Sequence, residues 1–172
     1  MLAQRLQQVA DILQAKDFQQ ALDALTEIES SGAESADFWQ LLALAHKGLG
    51  ELKDAEDSFL KSVQLLPQAH VLTNLANFYR QQRRHEEAET RYQQALELDS
   101  SHLPARVNYG QLLLEVKQLT ASAQQFAAAL EQKPEHLNAQ IGLAQASQQL
   151  GDQENALALF QKVLSIDNNN AA

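Results

Sequence analysis

The sequence of 172 residues has no cysteine, only three prolines and only six glycines. Without cysteine the chain has no disulfide framework, no thiolate metal ligand and no cysteine nucleophile. With so few prolines and glycines, little interrupts a helix, and the apolar residues recur at helical rather than alternating spacing. β-Branched residues are scarce as well. The sequence therefore predicts an all-α fold.

Basic side chains and long apolar runs are also in short supply. The chain has 13 lysines and arginines against 22 acidic residues, a formal charge of −9. Such a surface repels phosphate backbones and anionic lipid, so we expect neither nucleic acid nor membrane partners. Polar residues such as Gln4, Arg5 and Asp11 interrupt the N-terminal segment, so no signal peptide or membrane insertion is predicted. The cytoplasm is the expected compartment, with the periplasm left open.

One motif recurs through the whole chain: a small residue followed four positions later by an aromatic residue or leucine. It recurs about every 34 residues, and one step, between its second and third copies, is shorter by a single residue. Its members are Ala21/Leu25, Ala55/Phe59, Ala88/Tyr92, Ser122/Phe126 and Ala156/Phe160. Apolar residues at helical spacing precede the motif, as in Trp39, Leu42, Ala43 and His46. An internal period of this length indicates an array of helical hairpins.

The segment Trp39–Pro67 shows the repeat most completely and resembles the tetratricopeptide repeat, whose pattern is W-x2-L-G-x2-Y, then A-x3-F, then P. Ala43 stands at the glycine position and His46 at the tyrosine position. The resemblance covers essentially the whole chain. It implies a right-handed α-solenoid, or superhelix, of about five helix-turn-helix repeats. We expect a single array over residues 1–172, with repeats at 2–35, 36–68, 69–102, 103–136 and 137–170.

The repeat register also predicts local boundaries. The first hairpin is expected at 2–15 and 18–30, and Ser31-x-x-Glu34 resembles a capping box for the next helix. The loop after Pro67 is predicted to be one residue shorter than the loop after Pro134. The remaining hairpins are expected within 69–98, 103–132 and 137–166. Six aromatic residues are assigned to the core: Trp39, Phe59, Tyr79, Tyr92, Phe126 and Phe160.

The C-terminal end has an unusual pattern. Its last predicted helix ends at Ile166 and is apolar over most of its circumference, whereas terminal repeats normally have a polar outer face. Residues 168–172 match the turn and the first residues of another repeat. We therefore expect either that the chain is part of a longer protein or that it self-associates through this uncapped repeat.

No motif typical of catalysis is found. The five histidines show neither H-x3-H nor H-E-x-x-H spacing. There is no glycine-rich phosphate loop and no G-x-S-x-G segment. His102 and His136 hold the same loop position in successive repeats, which is typical of a repeated turn rather than a metal site. We expect no enzyme activity, no cofactor and no metal.

The resemblance implies instead a scaffold that binds a protein or peptide. In this family the first helix of each hairpin lines a concave groove, so the groove residues are those left after the inward-packing stripe is subtracted. The predicted groove is apolar towards its N-terminal end and rich in amides towards its C-terminal end. Its candidate residues are Leu41, Leu44, Lys47, Asn74, Asn77, Arg80, Asn108, Gln111 and Gln145.

Amide side chains suit a peptide because each offers a hydrogen-bond donor and an acceptor to a peptide unit. Asn74 and Asn108 hold the same repeat position and resemble the asparagine ladder of some tetratricopeptide proteins; the alternative is an ordinary solvated surface. Arg80, near Arg83 and Arg84, has two interpretations, a partner for an acidic group or part of a solvated turn. Two further functions stay open for the chain, a non-catalytic N-terminal region of a longer enzyme and a self-associating assembly element.

Overall fold

The computed structural model describes residues 1–170 of the chain, and the side chains of residues 1–164. Within these residues the regular structure is helical, with eleven helices and no strand, so the all-α prediction is confirmed. The helices are α1 Leu2–Gln14, α2 Phe18–Thr26, α3 Glu29–Gly32, α4 Ala36–Leu49, α5 Leu52–Leu65, α6 Ala69–Gln81, α7 His85–Leu98, α8 Leu103–Glu115, α9 Leu119–Gln132, α10 Leu137–Leu150 and α11 Gln153–Asn170.

The chain divides into two compact units, Met1–Val71 and the residues from Leu72 onward. In the first unit α1 packs against α2 and α4, and α4 packs against α5. In the second unit α8 packs against α7 and α9, and α10 packs against α9 and α11. Most of these pairs are helices that follow one another in sequence, as an array of hairpins requires. The single array over 1–172 stays a prediction.

The turn inside each hairpin contains one residue with a left-handed backbone. These residues have φ between 59° and 90° and are Lys16, Gly50, Arg83, Lys117 and Gly151. Their spacing along the chain is the same as that of the sequence motif, including the shorter step between the second and third copies. A left-handed residue at this point ends a helix because its amide bonds back into the last turn, as Gly50 N does to the Lys47 carbonyl at 3.2 Å. The backbone thus repeats with the sequence.

The core of the first unit is formed by α1, α2 and α4 around Leu6, Leu25 and Phe38. Phe38 is only 1% exposed, whereas the neighbouring Trp39 is partly buried and packs against this core. The aromatic pair meets edge to face, with ring centroids 5.4 Å apart. The buried aromatic of this repeat is therefore Phe38, and Trp39 lies at the core margin.

The other aromatic predictions mostly hold. Phe59, Tyr79, Tyr92 and Phe126 are buried. Phe160 is only half-buried on α11. Four of these five residues therefore belong to the core as predicted.

Three side chains at the same repeat position as Leu72 make the same hydrogen bond. Trp39, Arg106 and Gln140 each donate to the backbone carbonyl oxygen six residues earlier, at 2.8, 2.6 and 2.7 Å respectively. The acceptor lies in the segment that precedes the first helix of the hairpin. The repeat therefore favours a long side chain with a hydrogen-bond donor at this position, and this side chain need not be tryptophan. Leu72 has no donor in its side chain, and Arg5, at the same position in the first repeat, donates to Glu27 Oε2 instead.

The loop before α6 has the predicted length difference. It contains three residues, 66–68, whereas the loops before α8 and α10 contain four, 99–102 and 133–136. The missing residue therefore lies in the loop between the second and third repeats, and the prediction is confirmed. The helices on either side keep their lengths.

The first hairpin ends differently from the prediction. The second helix stops at Thr26 rather than residue 30, because the buried Ile28 leaves the helix with φ −112° and ψ 6°. The cap of α4 is Ser35, whose Oγ accepts a hydrogen bond from Phe38 N at 3.3 Å. Ser31 lies in α3 and donates to the Ile28 carbonyl at 2.9 Å. The capping box predicted at Ser31 is therefore wrong.

The last helix is longer than predicted. It continues from Gln153 to Asn170, beyond the expected end at Ile166. Because no glycine or proline follows Gly151, nothing in the local sequence stops the helix at that point. The turn expected at residues 168–170 is helical, and Ala171 and Ala172 lie outside the described residues.

Candidate functional site

The second unit contains a cavity of about 330 Å³ whose walls come from α6, α8 and α10. These are the first helices of three successive hairpins. We call this the amide cavity, because four carboxamides and one guanidinium surround two apolar side chains. Its lining residues are Arg80, Val107, Asn108, Gln111, Asn138, Ile141 and Gln145.

Four of the predicted groove residues meet in the amide cavity: Arg80, Asn108, Gln111 and Gln145. Its two apolar members, Val107 and Ile141, were not among the predicted groove residues. These residues hold the same position in successive repeats, so the repeat spacing that identified the amides carries a signal for them too. The cavity therefore combines polar walls with an apolar contact surface.

Arg80 is connected to α8 by two contacts. Its Nη1 donates to the Asn108 backbone carbonyl at 3.4 Å, and its Nε lies 3.9 Å from Glu115 Oε2. The side chains of Arg80 and Glu115 are 24% and 39% exposed. A partly exposed pair at this distance contributes little stability, because water screens both charges. This pair therefore restrains the guanidinium only weakly.

The neighbouring Arg84 has its partners near its own turn. The Arg84 guanidinium lies 4.3 Å from the centre of the Tyr79 ring and forms an ion pair with Glu87. The hydrogen bond from Arg84 lowers the pKa of the Glu87 carboxyl. Arg83 is the left-handed residue of this turn. The cluster thus serves the turn between α6 and α7.

Asn74 and Asn77 lie on α6, before Arg80. Both are half-buried, and neither is among the residues that line the amide cavity. Asn77 Oδ1 accepts a hydrogen bond from the Tyr92 hydroxyl at 2.5 Å. Asn77 holds the same repeat position as Gln111 and Gln145. It lies one helical turn before Arg80, which lines the cavity.

The first unit has a different surface. There α1 and α4 border two depressions of about 380 and 400 Å³ that share Gln7, Ala10 and Leu41. We call these depressions together the apolar trough. Leu41 and Leu44 line it from α4, and the aliphatic side chains opposite on α1 include Leu6 and Leu13. Both predicted apolar groove residues therefore lie in one surface feature.

Lys47 is half-buried in the last turn of α4. Burial lowers the pKa of its ammonium group, because removal of water disfavours the charged form. The same repeat position holds Leu13, Arg80 and Leu114, so a long side chain with an aliphatic part is usual there. Lys47 is a predicted groove residue that the structure places outside the lining of the apolar trough.

One group of potential metal ligands occurs among the described residues, in the turn between α4 and α5. The donor atoms of His46, Glu51 and Asp54 lie within 4.8 Å of one another. His46 Nδ1 and Glu51 Oε2 are only 2.6 Å apart, which is a hydrogen-bond distance. The two carboxylates are exposed. The hydrogen bond between His46 and Glu51, with the exposed Asp54 nearby, accounts for the short distances among these three residues.

Hairpins of two helices that recur at a regular period, with the first helices lining the cavities, define a helical repeat protein. One model of the tetratricopeptide repeat matches residues 11–70 and 110–171, and a second model of the same description matches residues 71–103. The chain belongs to the tetratricopeptide repeat family. The solenoid fold class inferred from the sequence is thereby confirmed.

The known proteins that resemble this chain differ in how much of their own length it covers. Protein RRP5 homolog of Homo sapiens is 30% identical over 134 residues, which are 77% of this chain, and the chain spans only 7% of that protein. The solved structure of PilF of Pseudomonas aeruginosa has a TM-score of 0.87 at 22% identity, covering 95% of this chain and 75% of PilF. YrrB, described as a tetratricopeptide protein with an unusual peptide-binding site, has a TM-score of 0.76 at 20% identity, covering 94% and 84%. The two structural likenesses show the fold.

Tetratricopeptide proteins bind protein or peptide partners and are typically non-catalytic scaffolds. The repeats of this chain therefore support a role in protein interaction. None of the helices in the described residues is both long enough and apolar enough to span a membrane.

Proposed function

We propose that this protein is a scaffold that binds an extended segment of a partner protein in the amide cavity. The observation that carries the proposal is the convergence of four carboxamides on one cavity. Asn108 and Gln111 come from α8, and Asn138 and Gln145 come from α10. Their positions on successive first helices place them along the direction in which the repeats follow one another.

The chemistry of these side chains fits a peptide backbone. A carboxamide donates to a carbonyl oxygen and accepts from an N–H, so it pairs with a peptide unit whatever side chain that unit carries. Val107 and Ile141 provide apolar contact for a side chain of the segment. Arg80 adds a donor for a carbonyl or a carboxylate. The cavity thus suits a segment that is extended and mostly uncharged.

The apolar trough gives the proposal a second contact surface. Leu41 and Leu44 face the leucines of α1 across it, so it suits apolar side chains of a partner. Burial of such a side chain contributes about 1.5–3 kcal/mol. YrrB is described as having a peptide-binding site, which supports the same class of ligand for this chain.

A direct test uses a peptide selected from a randomised display library on the purified protein. Asn108→Ala combined with Gln111→Ala should weaken its binding about tenfold, because each lost hydrogen bond costs about 0.5–1.5 kcal/mol. Fluorescence anisotropy of the labelled peptide measures the dissociation constant. The matched control is Gln124→Ala with Gln132→Ala, two exposed amides on α9 that do not line the amide cavity.

The control variant should bind as the wild type does. If the Asn108/Gln111 variant also binds with wild-type affinity, the amide cavity is not the peptide site and the proposal fails. Circular dichroism of both variants confirms that the helices remain folded.

A second candidate function is self-association, and α11 favours it. Its Leu157 and Leu164 are 59% and 62% exposed and lie seven residues apart, on one side of the helix. An exposed pair of leucines at this spacing is typical of a helix that packs against another helix.

A further inference from the structure

Tyr92 differs from its counterparts in the other repeats. The same position holds Leu25, Phe59, Phe126 and Phe160, none of which has a polar group. The Tyr92 ring is fully buried, as those of Phe59 and Phe126 are. The hydroxyl is therefore an addition to a side chain whose packing role an unmodified ring fulfils elsewhere in the chain.

The hydroxyl lies beside Asn77 and Arg80, and Arg80 lines the amide cavity. It donates to Asn77 Oδ1 at 2.5 Å. Burial raises the pKa of Tyr92 to about 12, and the Arg80 guanidinium beside the hydroxyl opposes part of that rise. The group is therefore protonated at neutral pH and has a hydrogen to donate.

The neighbours of the hydroxyl determine which way the Asn77 amide faces. A guanidinium only donates hydrogen bonds, so Arg80 favours the oxygen of the hydroxyl and leaves its hydrogen for Asn77 Oδ1. One lone pair of Asn77 Oδ1 is then occupied within the protein, and the amide is held with this oxygen towards Tyr92. Its Nδ2 group keeps two hydrogens for another partner.

We propose that the Tyr92 hydroxyl is a positioning group that fixes Asn77 as a hydrogen-bond donor, so that this position takes a carbonyl oxygen of the bound segment. The proposal rests on the proposed peptide-binding function and adds direction to it. Gln111 and Gln145, at the same repeat position, pair with either half of a peptide unit, whereas Asn77 presents its Nδ2 donor to a carbonyl oxygen. A side chain held in place before binding also loses less rotamer freedom on binding, which strengthens the complex.

The first test is Tyr92→Phe with the library-selected peptide. The fold should be retained, since phenylalanine occupies this position in three other repeats. The dissociation constant should rise about three- to tenfold, because Asn77 is no longer held in its binding orientation. Asn77→Ala should weaken binding at least as much, and the double variant should be no worse than Asn77→Ala alone.

The matched control is Tyr109→Phe. Tyr109 is also buried in the second unit, and its hydroxyl donates to Glu89 Oε1 at 2.7 Å and accepts from Gln93 Nε2 at 3.0 Å. Neither of these partners lines the amide cavity. This variant loses a similar hydroxyl and should bind the peptide with wild-type affinity.

Asn77→Asp separates orientation from simple packing. Aspartate keeps an oxygen for the Tyr92 hydroxyl but has no N–H to donate. It should therefore bind the peptide as weakly as Asn77→Ala. Wild-type affinity for Asn77→Asp would overturn the assignment of Asn77 as a donor.

A measurement without peptide completes the design. In the free protein, Tyr92→Phe should shift the Asn77 side-chain amide signals in a proton–nitrogen NMR spectrum and speed their exchange with water. Suppose that the Asn108/Gln111 variant binds the peptide weakly, as the proposed function requires. Unchanged Asn77 signals in Tyr92→Phe, or wild-type peptide affinity of Tyr92→Phe, would then overturn the role of the Tyr92 hydroxyl and leave the proposed function standing. Wild-type affinity of that variant would overturn both the function and this inference.

Discussion

Phe126 shows how closely side chains pack between successive first helices. Its ring is fully buried between α8 and α10. A Cβ atom added at Gly142 would lie 2.2 Å from Phe126 Cζ, and one added at Gly110 would lie 3.0 Å from Cε1. The first distance is an overlap and the second a tight contact. Gly142 therefore has a steric reason to lack a side chain.

We expect Gly142→Ala to be less stable than Gly110→Ala by about 1–3 kcal/mol, because the Phe126 ring must move to make room. Both substitutions replace glycine by alanine within a helix and gain the same helix propensity. The difference between their free energies of unfolding therefore measures the cost of the overlap with Phe126. Urea unfolding followed by circular dichroism measures both free energies of unfolding. Phe126→Leu should recover part of the loss in the Gly142→Ala protein. Equal stability of the two alanine variants would contradict the explanation.

The two glycines also differ in how far the sequence predicts them. Gly110 is recognisable, because the repeat pattern places a small residue there and other repeats have Ala43, Ala76 and Ala144. Gly142 carries no such signal, because the same position holds Leu41, Asn74 and Asn108 in the other repeats. Only the position of the Phe126 ring explains why the fifth repeat has a glycine at this position.

At the scale of the helix, the second helices of the hairpins begin in two ways. The residue before each of them is Asp17, Glu51, Arg84, Gln118 or Asp152. Asp17 Oδ1 accepts from Gln20 N at 3.1 Å, and Asp152 Oδ1 accepts from Asn155 N at 3.1 Å. The other three residues make no side-chain cap. A cap was predicted at Ser31 but not at these aspartates, although both aspartates hold the same repeat position.

We expect Gln118→Asp to stabilise the protein by about 0.5–1 kcal/mol, because an aspartate satisfies a free amide at the start of α9. The backbone already suits it: Gln118 has φ −82° and ψ 65°, close to φ −88° and ψ 76° at Asp17. Thermal unfolding measures the change.

Asp17→Ala is the reciprocal control and should lower stability by about 1 kcal/mol. A Gln118→Asp protein that is no more stable than the wild type, while Asp17→Ala is destabilised, would show that the cap geometry does not transfer between repeats.

At the scale of the molecule, the exposed leucines of α11 bear on assembly. We expect the wild type to form dimers as its concentration rises, because burial of Leu157 and Leu164 removes apolar surface from water. Leu157→Gln with Leu164→Gln should remain monomeric over the same range. Sedimentation velocity at several concentrations measures the distribution.

The control for this experiment is Leu52→Gln with Leu98→Gln, two leucines that are 43% and 55% exposed on α5 and α7. This variant should associate as the wild type does. A wild type that stays monomeric at every concentration would remove self-association as a function of α11.

Helical spacing of apolar residues and one motif repeated at a regular period were enough to predict the all-α repeat fold, the shorter loop and most of the buried aromatics. These features are local, because each hairpin repeats the same contacts along the chain. Contacts between particular side chains of different helices required the tertiary structure. The Tyr92 hydroxyl bonds Asn77, Arg80 lies beside Glu115, and Phe126 excludes a side chain at residue 142. Sequence spacing assigns a residue to a face of its helix, but distances between helices decide which atoms on those faces meet.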